Sequence, residues 1–220
     1  MTGQVGVVAS SAAGLSAMMS SMGAFDDADE LEPATVEEWS DWLREHHADR
    51  SGVWLVSAKA ATGRRAFDYD TAVTEALRYG WVDSVQRAVD EERSKLWFAP
   101  RRARSGWSRS NKIRIERLEQ EGRLEPAGRA AVEAARANGS WALLDEVEEL
   151  TVPDDLAAAL AAHPGSREHW DRFPPSARRA ILEWIVQAKR AETRGRRVRE
   201  TAEKAATGER ANQWVPRDQR

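Results

Sequence analysis

Residues 81–100, WVDSVQRAVDEERSKLWFAP, decide the architecture. Trp81 to Ala88 and Ser94 to Ala99 read as two strands, with the charged turn Asp90-Glu91-Glu92 between them. Pro100 has no amide to continue a ladder, so it closes the second strand. A further strand and two helices are read upstream. Val53 to Lys59 (VWLVSAK) follows Gly52 as a strand and ends at Thr62-Gly63. Thr35 to His47 reads as a helix, with Thr35 and Glu38 spaced as a capping box and Val36, Trp39 and Leu43 on one face, Trp42 beside them. Asp70 is placed to cap a second helix, carrying Val73, Ala76 and Leu77 and stopping at Gly80.

Downstream of Pro100 the apolar spacing becomes helical. Trp107–Glu121 and Pro126–Asn138 are two helices, the second with proline early and Gly139 just past its end. Pro153 and Pro174-Pro175 punctuate two more, and Ile181, Trp184, Ile185 and Ala188 repeat at i, i+3, i+4 and i+7. A basic helix runs from Ala191 towards Gly208. The expected fold is α+β: a small antiparallel sheet with packed helices and a mainly helical C-terminal half. The expected divisions are a disordered leader over 1–24, an α+β core over 25–145, a helical region over 146–208 and a frayed tail over 209–220. Within the leader, Met18, Met19 and Met22 offer alternative starts.

Charged residues make up 31% of the chain but the net charge is only −3, which argues against a protein that coats nucleic acid or anionic lipid. The signs are segregated. Asp26 to Asp49 carries ten acids against Arg44 alone, Asp145 to Asp155 six acids and no base, and Arg178 to Arg199 eight bases against Glu183 and Glu192. Such segregation implies facing surfaces within a fold or separate docking faces. No cysteine is present, so disulfides, cysteine zinc sites and thiol nucleophiles are excluded. No apolar run is long enough to span a membrane, and the first 24 residues lack the lysine or arginine of a secretory signal. The expected location is the cytoplasm. His46, His47, His163 and His169 do not have the spacing of a zinc motif. With no phosphate-binding glycine loop, dinucleotide fingerprint or nucleophile elbow, neither a metal nor a cofactor is expected.

The richest segment chemically is Trp97–Leu118, WFAPRRARSGWSRSNKIRIERL, with seven Lys/Arg residues against the single acid Glu116. Ser105 or Ser108 stands where a helix N-cap would sit, and free amides at a helix start favour anions. Arg101 and Arg104 are suited to clamping a carboxylate or phosphate. Asn111 shares a helix face with Trp107, Ile115 and Leu118, so its amide turns inward and must find a partner. Arg101, Arg104, Ser105, Trp107, Ser108 and Asn111 are therefore the candidate binding set for a small anionic ligand or a protein partner. The alternative is that the arginines pair with Asp83, Asp90 and the acidic helix near residue 40. Asp83 lies on the side of its strand that holds Trp81, which makes it either an arginine's partner or, as a weaker candidate, a catalytic acid/base. Arg178, Arg179, Lys189, Arg190, Arg194, Arg196, Arg197 and Arg199 form a second basic region. They read as a solvated helix face paired with Glu192 and Glu200, or as a nucleic-acid surface joined to Arg101–Arg117. Without a recognised nucleic-acid motif the solvated face is favoured.

Four segments carry a family resemblance: YDTAVTEALRYGWVD at Tyr69–Asp83, FAPRRARSGWSRSN from Phe98, LEQEGRLEPAGRAAVEAARANGSW from Leu118, and AILEWIVQAKRAETRGRRVRE over 180–200. The ordered combination of GW-x-D, F-x-PR-x-x-RS-x-WS-x-x-N and ETR-x-x-R resembles the bacterial YdeI/OmpD-associated family over most of the chain beyond residue 50. Ala99 stands where that family typically has threonine. The resemblance implies association with outer-membrane porin biology and with protection against bacteriocins or cationic antimicrobial peptides. It implies no reaction and no cofactor.

Overall fold

The computed structural model describes residues 28–213, so the leader expected over 1–24 and the end of the expected tail lie outside the described residues. The chain forms two compact units, the first ending at Pro100 and the second beginning at Arg101. The division expected between 145 and 146 falls inside the second unit. The fold is α+β, with a four-stranded sheet and, among the described residues, nine α-helices. No described helix is long and apolar enough to cross a membrane.

The first unit holds β1 (Glu30–Leu31), α1 (Val36–His46), β2 (Val53–Ala58), α2 (Tyr69–Arg78), β3 (Trp81–Ala88) and β4 (Arg93–Pro100). The sheet order is β1-β2-β4-β3. The expected hairpin pairs β3 with β4 antiparallel, β2 joins β4 antiparallel on its other side, and the two-residue β1 adds a parallel edge that the sequence did not reveal. Asp90 makes the hairpin turn by accepting from the amides of Glu92 and Arg93 and from the Arg93 guanidinium. Register places Val53, Leu55 and Ser57 opposite Phe98, Leu96 and Ser94 on one face. Trp39 of α1 packs against Phe98 on that face, with ring centroids 5.2 Å apart, and Trp42 meets Trp81 edge-on. The other face buries Trp54, with the Lys95 ammonium 4.8 Å and the Arg87 guanidinium 5.2 Å from its ring. The β3–β4 ladder shifts register between Asp83 and Gln86.

Helix starts follow local chemistry. Thr35 accepts from the Glu38 amide, and Glu38 answers by accepting from the Ala34 amide, one residue earlier than in the usual capping box. α2 is capped by Asp68 rather than by Asp70. Asp68 has extended backbone and its carboxylate accepts from the Thr71 amide at 2.8 Å, whereas Asp70 lies inside the first turn, where its charge suits the helix dipole.

The second unit contains α3 (Arg109–Gln120), α4 (Pro126–Ala137), α5 (Asp145–Glu148), α6 (Asp154–Ala162), α7 (Ser166–Arg172), α8 (Pro175–Val186) and α9 (Ala191–Ala206). α3 starts later than Trp107 because Ser108 caps it, accepting from the Asn111 amide. Leu156, Leu160, Trp170, Ile181, Ile185 and Ala202 form the centre of the core of α6 to α9. Ile181 and Ile185 are fully buried, but Trp184 and Ala188 are only half-buried and Leu182 is buried beside Ile181, so the buried face is turned from the one the i, i+3, i+4, i+7 spacing predicts.

Gly52 marks where β2 enters the sheet. A Cβ there would lie 2.0 Å from the Trp97 ring, which is itself buried against Trp54. Gly52→Ala is expected to destabilise the protein by about 1–3 kcal/mol through overpacking. Urea titration should show a lower midpoint with an unchanged slope.

Candidate functional site

The predicted binding residues form one loop, 101–108, and the first turn of α3. Arg101 is half-buried and its guanidinium carbon stands 3.7 Å from the Trp107 ring centroid. Its Nη2 donates to the Gly106 carbonyl at 2.9 Å and to Ser105 Oγ at 3.4 Å. Ser105 donates in turn to the Arg102 carbonyl, closing the loop on itself. Asn111 is buried, as its helix face predicts, and its Oδ1 accepts from Arg114 one turn on, at 2.8 Å. Arg102 and Arg104 are exposed.

The loop is held from outside by the end of α4. Asn138 donates from its side chain to the Ala103 carbonyl at 2.7 Å, and Ser140 Oγ donates to the same oxygen at 3.4 Å. The Asn138-Gly139-Ser140 triplet is therefore structural. Asn138 ends the helix, Gly139 takes a positive φ of 79°, and the flanking side chains fasten the loop. Trp107 is 2% exposed and packs 5.0 Å from Trp141, which also receives Arg136 and Lys112 over its ring. Gly106 lies so close to Leu144 that a Cβ would come within 2.7 Å of it.

The anion-favouring start of α3 already receives an anion from the protein itself. The Arg109 amide donates to Glu148 Oε1 at 3.4 Å, and Arg179 holds the same carboxylate through Nη2 at 2.8 Å and Nε at 3.2 Å. The Arg179 hydrogen bond holds the Glu148 carboxyl below its ordinary value of 4.5, against the opposing effect of burial. In the C-terminal basic region, Arg194 makes a two-point pair with Asp155, and Arg197 donates to the Trp184 carbonyl with its guanidinium over that ring. The pairs differ from those expected with Glu192 and Glu200: Glu200 meets Lys204, outside the basic series, Arg179 meets Glu183, and Arg194 reaches across to α6.

Asp83 sits opposite Phe98 in the β3–β4 ladder and accepts from the Tyr69 hydroxyl at 2.8 Å, so the partner it finds is a phenol. Asp90 is committed to its own turn. Among the described residues no group of three or more histidines and acids is placed to hold a metal.

A cavity of about 220 Å³ that the sequence did not reveal lies in the first unit, between the sheet and the start of α2. Leu55, Leu96 and Ala72 are among its apolar lining residues, and Ser57, Ser94, Gln86 and Arg65 among its polar ones. The signal was present: in an alternating strand, Ser57 and Ser94 occupy positions on the same side as Leu55 and Leu96, where apolar residues are expected.

Residues 31–131 match a domain of unknown function (DUF8412), and residues 149–208 match the family described as bacteriocin-protection, YdeI or OmpD-associated. The second match bears out the resemblance over the stretch that carries ETR-x-x-R. The GW-x-D and F-x-PR-x-x-RS-x-WS-x-x-N segments fall in the first match instead, so the resemblance is narrower than the motifs suggested. No curated protein and no solved structure matches the chain.

Glu148→Gln removes the charge shared by α3 and α8. It is expected to cost about 1.5 kcal/mol near neutral pH, the scale of a charge-assisted hydrogen bond. Because folding lowers this carboxyl's pKa, its contribution is complete above 4.5 and is lost as the pH falls through the lowered folded value. The stability gap between wild type and variant should therefore narrow in acid, read by urea unfolding from about pH 7 down to about pH 3.

Proposed function

We propose that the protein is a non-catalytic binding protein of the YdeI/OmpD-associated kind. It acts from the cytoplasm in protection against bacteriocins or cationic antimicrobial peptides. Its docking surface is the basic loop 101–111, which engages an anionic group on a ligand or protein partner. One observation carries this reading: the loop is fastened at the Ala103 carbonyl by Asn138 and Ser140, yet exposes Arg102 and Arg104. A loop ordered before binding loses less entropy on association, so two cations on it contribute more than the same cations on a floppy segment.

Within this proposal the six candidate residues divide. Arg101, Ser105, Trp107, Ser108 and Asn111 support the loop and its helix, and Arg104, joined by Arg102, makes the contact. The match over 149–208 supports the protective role, and α8 of that region supplies the Arg179 that holds Glu148 at the base of α3.

Arg102→Ala/Arg104→Ala should keep the wild-type melting temperature and lose protection when it replaces the natural gene in cells challenged with a cationic peptide. Arg101→Ala should instead lower stability by about 1–2 kcal/mol, because it removes a cation–π contact in a partly desolvated setting. Full protection by the Arg102/Arg104 variant would defeat this reading.

A further inference from the structure

The cavity beside α2 lies outside the proposed docking loop. Its two ends differ in chemistry. Register sets Leu55 against Leu96, and Ala72 of α2 is among the lining residues, so one end is apolar. Two residues along the same strands, Ser57 faces Ser94. Arg65 reaches this end of the sheet, since its Nε donates to the carbonyl of Ala58, the residue after Ser57, at 3.0 Å. That bond uses one donor of the guanidinium and leaves the terminal nitrogens, which make no further hydrogen bond among the described residues.

Ser94 sharpens the chemistry. It is only 6% exposed, so its hydroxyl should be hydrogen-bonded. Its oxygen accepts from Gln86 Nε2 at a long 3.5 Å, which leaves the hydroxyl proton to donate. Ser57 also lines the cavity with a hydroxyl. The polar end thus gathers donors from Arg65, Ser57 and Ser94, and the Arg65 charge also acts on the Asp68 carboxylate in the same wall. The acid in the wall, Asp68, is committed to capping α2 through the Thr71 amide. The volume of about 220 Å³, open to solvent beside the exposed Asp68, Tyr69 and Gln86, suits a small molecule.

The geometry points to a binding site for a small monocarboxylic acid with a compact apolar body, its carboxylate on Arg65, Ser57 and Ser94 and its body against Leu55, Leu96 and Ala72. Two-point recognition by a guanidinium and flanking hydroxyls is the usual way a carboxylate is held in a partly apolar setting. The site lies wholly in the first unit and is independent of the proposed docking loop.

The test uses the full chain with benzoate and 3-methylbutanoate as probes and benzamide as the uncharged control, followed by calorimetry and by amide chemical shifts. The expected result is saturable binding of the carboxylates, with shifts concentrated at 55–57, 65–72, 86 and 94–96. Benzamide and the Arg65→Gln variant should each weaken binding at least tenfold. If Arg65→Gln does not fold, Ser57→Leu, which fills the cavity from the sheet, replaces it and should abolish binding. No saturable binding by the wild type at millimolar carboxylate overturns the inference. So do shifts confined to other residues, or undiminished affinity in a folded variant.

Discussion

The first unit depends on what Trp39 does. Its ring is fully buried against Phe98 of the sheet and stacks on Trp42 of its own helix, while its indole N–H donates to the Ala72 carbonyl of α2 at 3.1 Å. One side chain therefore sets the distance of two helices from the sheet. A buried indole must have a partner for its N–H, and a backbone carbonyl of a neighbouring helix fixes that helix in depth and rotation. The position of Ala72 over the sheet, and with it the wall of the cavity, follows from this bond.

In the second unit the constraint is electrostatic. The acids of 145–155 and the bases of 178–199 look from the sequence like separate charged surfaces, but much of that charge is spent inside the unit. Glu148 meets Arg179, Asp155 meets Arg194, and Lys112 meets Asp145. The acidic N-terminal stretch is treated similarly in the first unit, where Glu30 and Glu32 meet Lys95 and Arg93 of β4, and Asp29 meets Arg50. Exposed pairs of this type add little stability singly. The Glu148 pair is less accessible, and a carboxylate shared between a helix start and a guanidinium sets the spacing of α3 and α8.

Elements governed by local chemistry were readable from the sequence. The hairpin 81–100, the helix after Thr35, the proline-led α4 and the burial of Ile181 and Ile185 follow from periodicity and caps. So does the inward turn of Asn111. Legibility stopped where a choice depends on tertiary partners. Asp68 and Asp70 are equally good caps by type, and only the backbone path selects the first. β1 is two residues long, too short for any periodic signal, and exists because β2 offers it a partner. The candidate loop was legible, but the division of labour within it was not: whether Arg101 faces a ligand or Trp107 is decided by where the ring lies. The cavity was missed because its serines belong to different strands, and their convergence is a fact of register.

The register shift between Asp83 and Gln86 also bears on how the sheet meets other chains. β3 is the last strand of its sheet, and the exposed apolar residues Val85 and Val89 lie in it and just beyond it. A flat strand of this composition would invite another chain to add itself edge to edge. The irregularity bends the strand and interrupts the even row of amides and carbonyls that such an addition needs. A defect in one ladder thus works against the edge-to-edge pairing that an exposed strand invites.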